Sequence, residues 1–124
     1  PKLAKMYGAV KEAQEKGCAE ARAEQRGLTP ARAVDSACRK TLKKHGFEKY
    51  FTHATGHGIG MEIHELPVIN QGSKHILEAG EVITCEPGVY IKGLGGVRIE
   101  VSLVITKNGA TNLTKKITKN LILL

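Results

Sequence analysis

The sequence predicts an α+β fold in which two helices are followed by a mainly antiparallel sheet. Apolar residues follow a helical spacing up to about residue 46, whereas strand-like segments, glycines and turn signals dominate from residue 50 onwards. Because the helices precede the strands instead of alternating with them, we expect the helices to pack on one face of the sheet.

The first predicted helix runs from residue 3 to about residue 26. An apolar stripe on one of its faces is formed by Leu3, Met6, Tyr7, Val10, Cys18 and Ala21. Gly27 follows as the expected C-terminal stop.

The second predicted helix begins at Thr29-Pro30 and ends near His45. Thr29 is expected to be its N-cap and Pro30 its first helical residue, and Gly46 is expected to end it. The side chains expected to face the core are Val34, Ala37, Cys38, Thr41 and Leu42.

The first strand signal follows a glycine-rich segment. Gly56, Gly58 and Gly60 oppose a stable helix. From residue 59, apolar side chains alternate with other residues as in a strand, at Ile59, Met61 and Ile63.

Three further segments predict the rest of the sheet. The runs 82–85 and 89–91 are strand-like and are separated by Pro87-Gly88. Residues 97–106 form the longest β-rich run, which ends before the hairpin signal Asn108-Gly109. A return strand is expected within residues 111–124.

Length and charge limit the classes of function. The 124 residues are one domain or part of one, and the formal net charge is +7. Lysine and arginine are spread along the chain, and only four tyrosines and phenylalanines precede residue 52, so we do not expect nucleic-acid binding. The positive charge is also compatible with a larger protein whose other part is acidic.

The three cysteines have no CxxC spacing and cannot all pair. We expect reduced, half-buried thiols in a cytoplasmic protein. No apolar run approaches the roughly 20 residues of a membrane span, so no membrane partner is expected.

The histidines between residues 53 and 64 are the strongest candidates for chemistry. His53 and His57 have the spacing of a helical metal clamp, but the glycines argue against a helix there. His64-Glu65 does not begin an HExxH zinc motif, because position 68 is Val68. The residues alone leave open whether this is a metal site or a turn with incidental histidines.

Two glutamates downstream are candidates to complete a site. Glu86 follows an apolar strand, and Glu100 lies within the run 97–101. Residues two apart share a face of a strand, so Arg98 and Glu100 should lie opposite the apolar side chains of that run. A buried Glu100 would need a partner, either Arg98 or a cation. Taken alone, Glu100 could equally lie on an exposed strand face in an ordinary ion pair.

Several motifs in one order resemble the pita-bread metallopeptidases, specifically their Xaa-Pro aminopeptidase and Xaa-Pro dipeptidase branch. They are His53-x-x-x-His57-Gly-Ile-Gly, His64-Glu65-x-Pro67, Glu86-Pro87-Gly88-Val89-Tyr90 and Gly96-Val97-Arg98-Ile99-Glu100. The resemblance extends over nearly the whole chain. It implies the C-terminal half of a pita-bread catalytic domain with a curved sheet, helical over residues 1–46 and carrying the site region over residues 50–124.

The resemblance also implies a role for each site residue. His57, Glu86 and Glu100 correspond to metal ligands; Glu100 would bridge two divalent ions (Mn, Co or Zn), and Glu86 would also handle the proton of the attacking water. His53 and His64 correspond to catalytic, substrate-binding imidazoles, and Arg98 to a residue that either supports the metal ligands or orients the substrate. That substrate would be a peptide with proline at its second position.

One part of the family pattern is missing. The family uses two further aspartate ligands, which would lie before Pro1, and Asp35 cannot replace them because it is the only aspartate. We therefore expect the first half of the domain to be absent from this chain and the 124 residues alone to be inactive. Two alternatives are a non-catalytic module that binds peptides or proteins and a creatinase-like hydrolase that works without metal; whether the protein is a homodimer stays open.

Overall fold

The computed structural model describes residues 1–22 and 29–122, and it confirms the order of helices before strands. Helices α1 and α2 span Lys2–Glu20 and Ala31–Lys44, and a short 3₁₀ helix spans Glu48–Tyr50. Seven strands follow in this part of the chain: β1 Gly56–Gly58, β2 Glu65–Ile69, β3 Val82–Cys85, β4 Gly88–Ile91, β5 Gly95–Arg98, β6 Val101–Thr106 and β7 Gly109–Asn112.

The strands form one sheet of five and one ribbon of two. The order in the sheet is β2-β1-β3-β6-β7, and β4 pairs with β5. Every pairing among the described residues is antiparallel, as predicted. The hairpin at Asn108-Gly109 is also confirmed, because Thr106 pairs with Gly109 and β7 returns along β6.

The core lies between the helix pair and the strands. The two helices contact each other, α2 also contacts β2, and α1 contacts β3, β4, β5 and β7. Met6 and Val10 are fully buried in this core, whereas Leu3, from the same predicted stripe, is 48% exposed. Each large apolar side chain buried in this way stabilises the fold by about 1.5–3 kcal/mol. No helix in the described ranges has both the length and the apolar content to cross a membrane.

The end of the first helix differs from the prediction. α1 ends at Glu20, and Ala21 has an extended backbone whose N–H bonds to the carbonyl of Cys18. Ala21 is fully buried, so the chain turns there to place its methyl group in the core. Residues 23–26 of the predicted helix and its predicted stop, Gly27, lie outside the described residues.

The start of the second helix also differs. Pro30 is the N-cap residue, with an extended backbone, and no side chain caps the helix. Thr29 is not the N-cap because its carbonyl accepts a bond from the N–H of Leu77, while Pro30 forms a bridge with Ile76. Pairing with residues 76–77 therefore holds this segment extended. At the other end the prediction is accurate, since α2 ends at Lys44, just before Gly46.

The strand predicted from the alternation at residues 59–63 is wrong. Met61 and Ile63 are exposed, and the segment between β1 and β2 is a series of bends. Local hydrogen bonds replace a strand ladder there: the N–H of Gly60 bonds to the carbonyl of Glu62, and the N–H of Glu62 bonds to the Glu65 carboxylate.

The long run 97–106 is two strands instead of one. β5 ends at Arg98 and β6 begins at Val101, so Ile99 and Glu100 join a ribbon strand to a sheet strand. The predicted alternation of burial persists across the break, because Ile99 and Val101 are buried while Arg98 and Glu100 are exposed.

Candidate active site

A cleft of about 560 Å³ gathers most of the predicted site residues. This volume lies within the range of about 300–1,000 Å³ that is common for ligand pockets. The lining residues are His53, Ala54, Gly56, His57, His64, Glu65, Leu66, Val68, Glu86 and Arg98. Five of the six predicted site residues are among them, and Glu100 is not.

Strand β1 places His57 between β2 and β3. The backbone N–H of His57 donates to Oγ1 of Thr84 at 3.0 Å. A side chain at Gly56 would collide with the backbone carbonyl of Thr84. Glycine at position 56 therefore lets β1 approach β3 closely enough for His57 to reach the end of that strand.

The imidazole of His57 meets the carboxylate of Glu86. Nδ1–H of His57 donates to the carbonyl of Gly58 at 2.8 Å, and Nε2 lies 3.1 Å from Oε1 of Glu86. In a neutral ring Nε2 is then an acceptor, as is the carboxylate oxygen. Two acceptors at this distance need a shared cation, which is either a proton on the ring or a metal ion.

The carboxylate of Glu86 is fixed from several directions. Oε1 accepts a hydrogen bond from Oγ1 of Thr84 at 3.0 Å, and Oε2 lies 3.8 Å from Nε of Arg98. The backbone N–H of Glu86 donates to the carbonyl of Thr55 at 2.7 Å. With only 13% of its side chain exposed, Glu86 is held at the wall of the cleft.

Thr84 is a site residue that the sequence analysis missed. Its hydroxyl accepts from the backbone N–H of His57 and donates to the carboxylate of Glu86, so one buried group links the backbone of His57 to the side chain of Glu86. A signal was present in the sequence: Thr84 is the polar residue of an apolar strand and lies two positions before Glu86, on the same face.

His53 has both ring nitrogens engaged. Nδ1–H donates to the carbonyl of Ala54 at 2.7 Å, and the hydroxyl of Tyr90 lies 3.1 Å from Nε2. Tyr90 belongs to the motif at residues 86–90, but the sequence does not predict it as a site residue. The hydroxyl of Tyr90 bonds to Nε2 of His53, the ring atom that would otherwise be free to bind a ligand.

A buried ion pair supports the segment that carries His53. Nε of Arg39 donates to Oδ2 of Asp35 at 2.8 Å, and Nη2 donates to the carbonyl of His53 at 2.9 Å. The hydroxyl of Thr55 donates to Oδ1 of Asp35 at 2.8 Å. The side chain of Asp35 is fully buried. This aspartate therefore anchors the loop from α2 and does not line the cleft.

His64 and Arg98 lie at the open side of the cleft. The ring of His64 is exposed, and its centroid is 4.3 Å from that of His57. Arg98 is 53% exposed and faces Glu86. The prediction that Arg98 or a cation is the partner of Glu100 is therefore corrected in part. Arg98 forms its ion pair with Glu86.

The structure does not bring Glu100 to the other two predicted metal ligands. Its side chain is exposed in the link between β5 and β6. In residues 1–22 and 29–122, no three His, Cys, Asp or Glu side chains converge closely enough to hold a metal ion. The donor chemistry of His57 and Glu86 fits a divalent ion, but the two supply only part of a coordination shell. The ligand role of Glu100 stays a prediction.

The matches to known proteins agree with one another. Residues 1–107 match the family described as metallopeptidase family M24. The chain is 47% identical to the Xaa-Pro dipeptidase of Pyrococcus furiosus, covering 92% of this chain and 32% of that protein. It is 45% identical to the Xaa-Pro dipeptidase of Pyrococcus horikoshii, covering 92% and 31%.

Similarity of structure points the same way. The solved Xaa-Pro dipeptidase from Bacillus anthracis superposes with a TM-score of 0.92 at 44% identity, covering 99% of this chain and 33% of that one. The chain therefore spans about a third of the length of the relatives it matches. That share agrees with the expectation that it corresponds to the C-terminal half of their catalytic domain.

Proposed function

We propose, because the chain belongs to metallopeptidase family M24 and has its pita-bread fold, that it forms one side of the active site of an Xaa-Pro peptidase. The reaction would be hydrolysis of the bond between an N-terminal residue and a following proline. The relatives named Xaa-Pro dipeptidase support this substrate class. The observation that carries the proposal is the pair formed by His57 and Glu86, whose facing acceptors are 3.1 Å apart.

In this proposal His57 and Glu86 hold a divalent ion, and Glu100 completes the ligands from this chain. When bound, divalent ions would supply a water molecule of lowered pKa and a Lewis acid for the peptide carbonyl. One imidazole with carboxylate oxygens suits Mn, Co or Zn. The bond from Nδ1–H of His57 to the carbonyl of Gly58 supports the assignment, because it directs the lone pair of Nε2 toward Glu86.

Glu86 is the proposed base that accepts the proton of the attacking water. Its Oε1 is already committed to Thr84 and His57, whereas Oε2 faces Arg98 at the open side. Oε2 is thus the oxygen better placed to receive a proton.

His53 and His64 are the proposed contacts to the substrate. They line the same cleft as His57, and a ring N–H directed into the cleft would donate a hydrogen bond to the peptide carbonyl oxygen as its negative charge grows. His53 has to exchange its bond with the Tyr90 hydroxyl to do this. The exposed apolar side chains of Leu66 and Val68, in the same cleft, offer a surface for the proline ring.

The remaining ligands would come from outside this chain. We propose that residues 1–46 are the helical part and residues 50–124 the site-bearing part of a C-terminal half-domain. The preceding half would supply two aspartates, without which the 124 residues alone are inactive. A non-catalytic peptide-binding module is the second candidate, and it is favoured by the separation of Glu100 from the pair of His57 and Glu86.

The test uses the complete catalytic domain that contains this chain. It is assayed with Mn²⁺ or Co²⁺ on an Xaa-Pro dipeptide and on the matching Xaa-Ala dipeptide. We expect cleavage of the proline peptide and at least about a hundredfold loss of kcat/KM in Glu86→Gln and Glu100→Ala. Full activity in Glu100→Ala would remove the proposed site, and tight metal binding without cleavage of either peptide would favour the second candidate.

A further inference from the structure

The loop between β1 and β2, which carries His64, is not held in place by packing of its side chains. All five residues from 60 to 64 are exposed, including the large apolar side chains of Met61 and Ile63. Within the described part of the chain, the ring of His64 forms no hydrogen bond, and its ring contact is with His57, at 4.3 Å between centroids. The position of the His64 ring at the cleft therefore depends on the backbone of its loop.

The carboxylate of Glu65 closes this loop. Glu65 is the first residue of β2 and pairs with Gly58 at the end of β1, so the two residues form the base of the loop 59–64. Oε1 of Glu65 accepts a hydrogen bond from the backbone N–H of Glu62 at 3.0 Å. Such a bond to an ionised carboxylate is stronger than a bond between neutral groups. The middle of the loop is thus tied to a side chain at its base.

Glycine at position 60 leaves the space that this carboxylate occupies. A Cβ atom at Gly60 would collide with Oε2 of Glu65 and would lie 2.6 Å from its Cδ, so a larger residue would displace the carboxylate. The backbone N–H of Ile59 donates to the carbonyl of Val82 on β3 at 3.0 Å. The loop is therefore fixed at its start by the sheet and at its middle by the carboxylate, before it reaches His64.

We propose that Glu65 is a positioning residue for the peptidase reaction, because its carboxylate fixes the loop that places the ring of His64 beside His57. This inference rests on the proposed function, in which His64 donates a hydrogen bond to the peptide carbonyl oxygen. Without the carboxylate, the loop is released and the imidazole leaves the place where the negative charge develops. A displaced donor of this kind weakens binding of the transition state more than binding of the substrate.

The kinetic test uses the complete catalytic domain that contains this chain, with Mn²⁺ and an Xaa-Pro dipeptide. Glu65→Ala should lower kcat about tenfold to hundredfold while KM stays within about threefold. Glu65→Gln keeps an oxygen acceptor at the same position and should keep kcat within about threefold of the unaltered protein. In a His64→Ala background, Glu65→Ala should lower kcat by less than about twofold, because the ring through which Glu65 acts is already gone.

Glu81→Ala is the matched control. Glu81 also accepts the backbone N–H of the residue three positions earlier, Glu78, at 2.9 Å, but it does not line the cleft. The variant loses the same kind of local bond, and it should lower Tm without changing kcat. Equal losses of kcat in Glu65→Ala and Glu81→Ala, or a full further loss when Glu65→Ala is added to His64→Ala, would overturn the positioning role.

A spectroscopic measurement separates this inference from the proposed function. Nuclear Overhauser cross-peaks between the ring protons of His57 and His64 report their contact whether or not the protein cleaves a peptide. We expect these cross-peaks in the unaltered protein and in Glu65→Gln, and their loss in Glu65→Ala. The same pattern in a protein that cleaves no peptide would remove the proposed function but support the positioning of His64 by Glu65. Cross-peaks that persist in Glu65→Ala, or that are missing from the unaltered protein, would overturn the inference.

Discussion

Nε2 of His57 lies 3.1 Å from Oε1 of Glu86, although the other ring nitrogen of His57 already donates its proton to Gly58. The two facing atoms are acceptors in the neutral ring, so their approach identifies a position for a cation. The same contact joins β1 to the residue that follows β3. The first metal-binding position of the proposed peptidase therefore depends on the close packing of these two strands.

Thr84 should support both the fold and metal binding. Thr84→Val keeps the shape of the side chain but leaves the N–H of His57 and one lone pair of Glu86 without their partner. We expect a loss of about 1–3 kcal/mol in the free energy of unfolding and a tenfold to hundredfold weaker affinity for Mn²⁺. Urea denaturation and titration calorimetry measure the two effects.

Thr84→Ser is the matched control because it keeps the hydroxyl. It should retain metal affinity within about threefold of the unaltered protein. Equal affinities in the valine and serine variants would show that the hydroxyl does not orient the metal ligands.

Tyr90 should orient His53 for substrate. Tyr90→Phe removes only the hydroxyl, which lies 3.1 Å from Nε2 of His53. One such hydrogen bond is worth about 0.5–1.5 kcal/mol, so kcat/KM of the complete enzyme should fall about twofold to tenfold. Tyr50→Phe, at a tyrosine that stacks with Lys49 outside the cleft, should leave kcat/KM unchanged. Equal effects of the two variants would argue against an orienting role.

The ion pair of Asp35 and Arg39 should be a major support of the site loop. Asp35→Asn leaves the guanidinium of Arg39 without its charged partner in a mostly buried position, and we expect a loss of about 3 kcal/mol in the free energy of unfolding. Glu12→Gln, which breaks a surface ion pair, should cost much less. Chemical denaturation compares the two variants, and similar losses would contradict the proposed anchoring.

Glu12 should make stability depend on acid pH. Hydrogen bonds from His45 and Lys44 lower the pKa of Glu12 below its ordinary value of 4.5. The ionised carboxylate thus favours the folded state above pH 4.5, and this contribution disappears as the pH falls through the lowered folded-state pKa. The difference in Tm between the unaltered protein and Glu12→Gln should shrink in that window. A constant difference down to the most acid pH would exclude this linkage.

The sequence predicts the residues that line the cleft better than the residues that hold them in place. His53, His57, His64, Glu86 and Arg98 all line one cleft, because glycines and strand ends carry them to the same place. Arg39 was not identified, since its contacts with the His53 carbonyl come from a helix residue 14 positions earlier. No local pattern in a sequence encodes such a contact.

Errors in the predicted elements have local physical causes. Ile59, Met61 and Ile63 have the alternation of a strand, but hydrogen bonds within residues 60–65 form bends instead. Thr29 has the chemistry of an N-cap, but its backbone pairs with Leu77. Hydrogen bonds override the residue preference in both places, within the segment at residues 60–65 and from a distant segment at Thr29.

Binding of Mn²⁺ to the chain and to two matched histidine variants tests the central claim most directly. His57 and His75 each place Nε2 near a glutamate oxygen, at 3.1 Å from Glu86 and 2.7 Å from Glu81. Calorimetry should find one weakly bound ion per chain, an affinity at least about tenfold lower in His57→Ala, and no change in His75→Ala. Unchanged binding in His57→Ala, or an equal loss in both variants, would contradict the assignment of the metal position to His57 and Glu86.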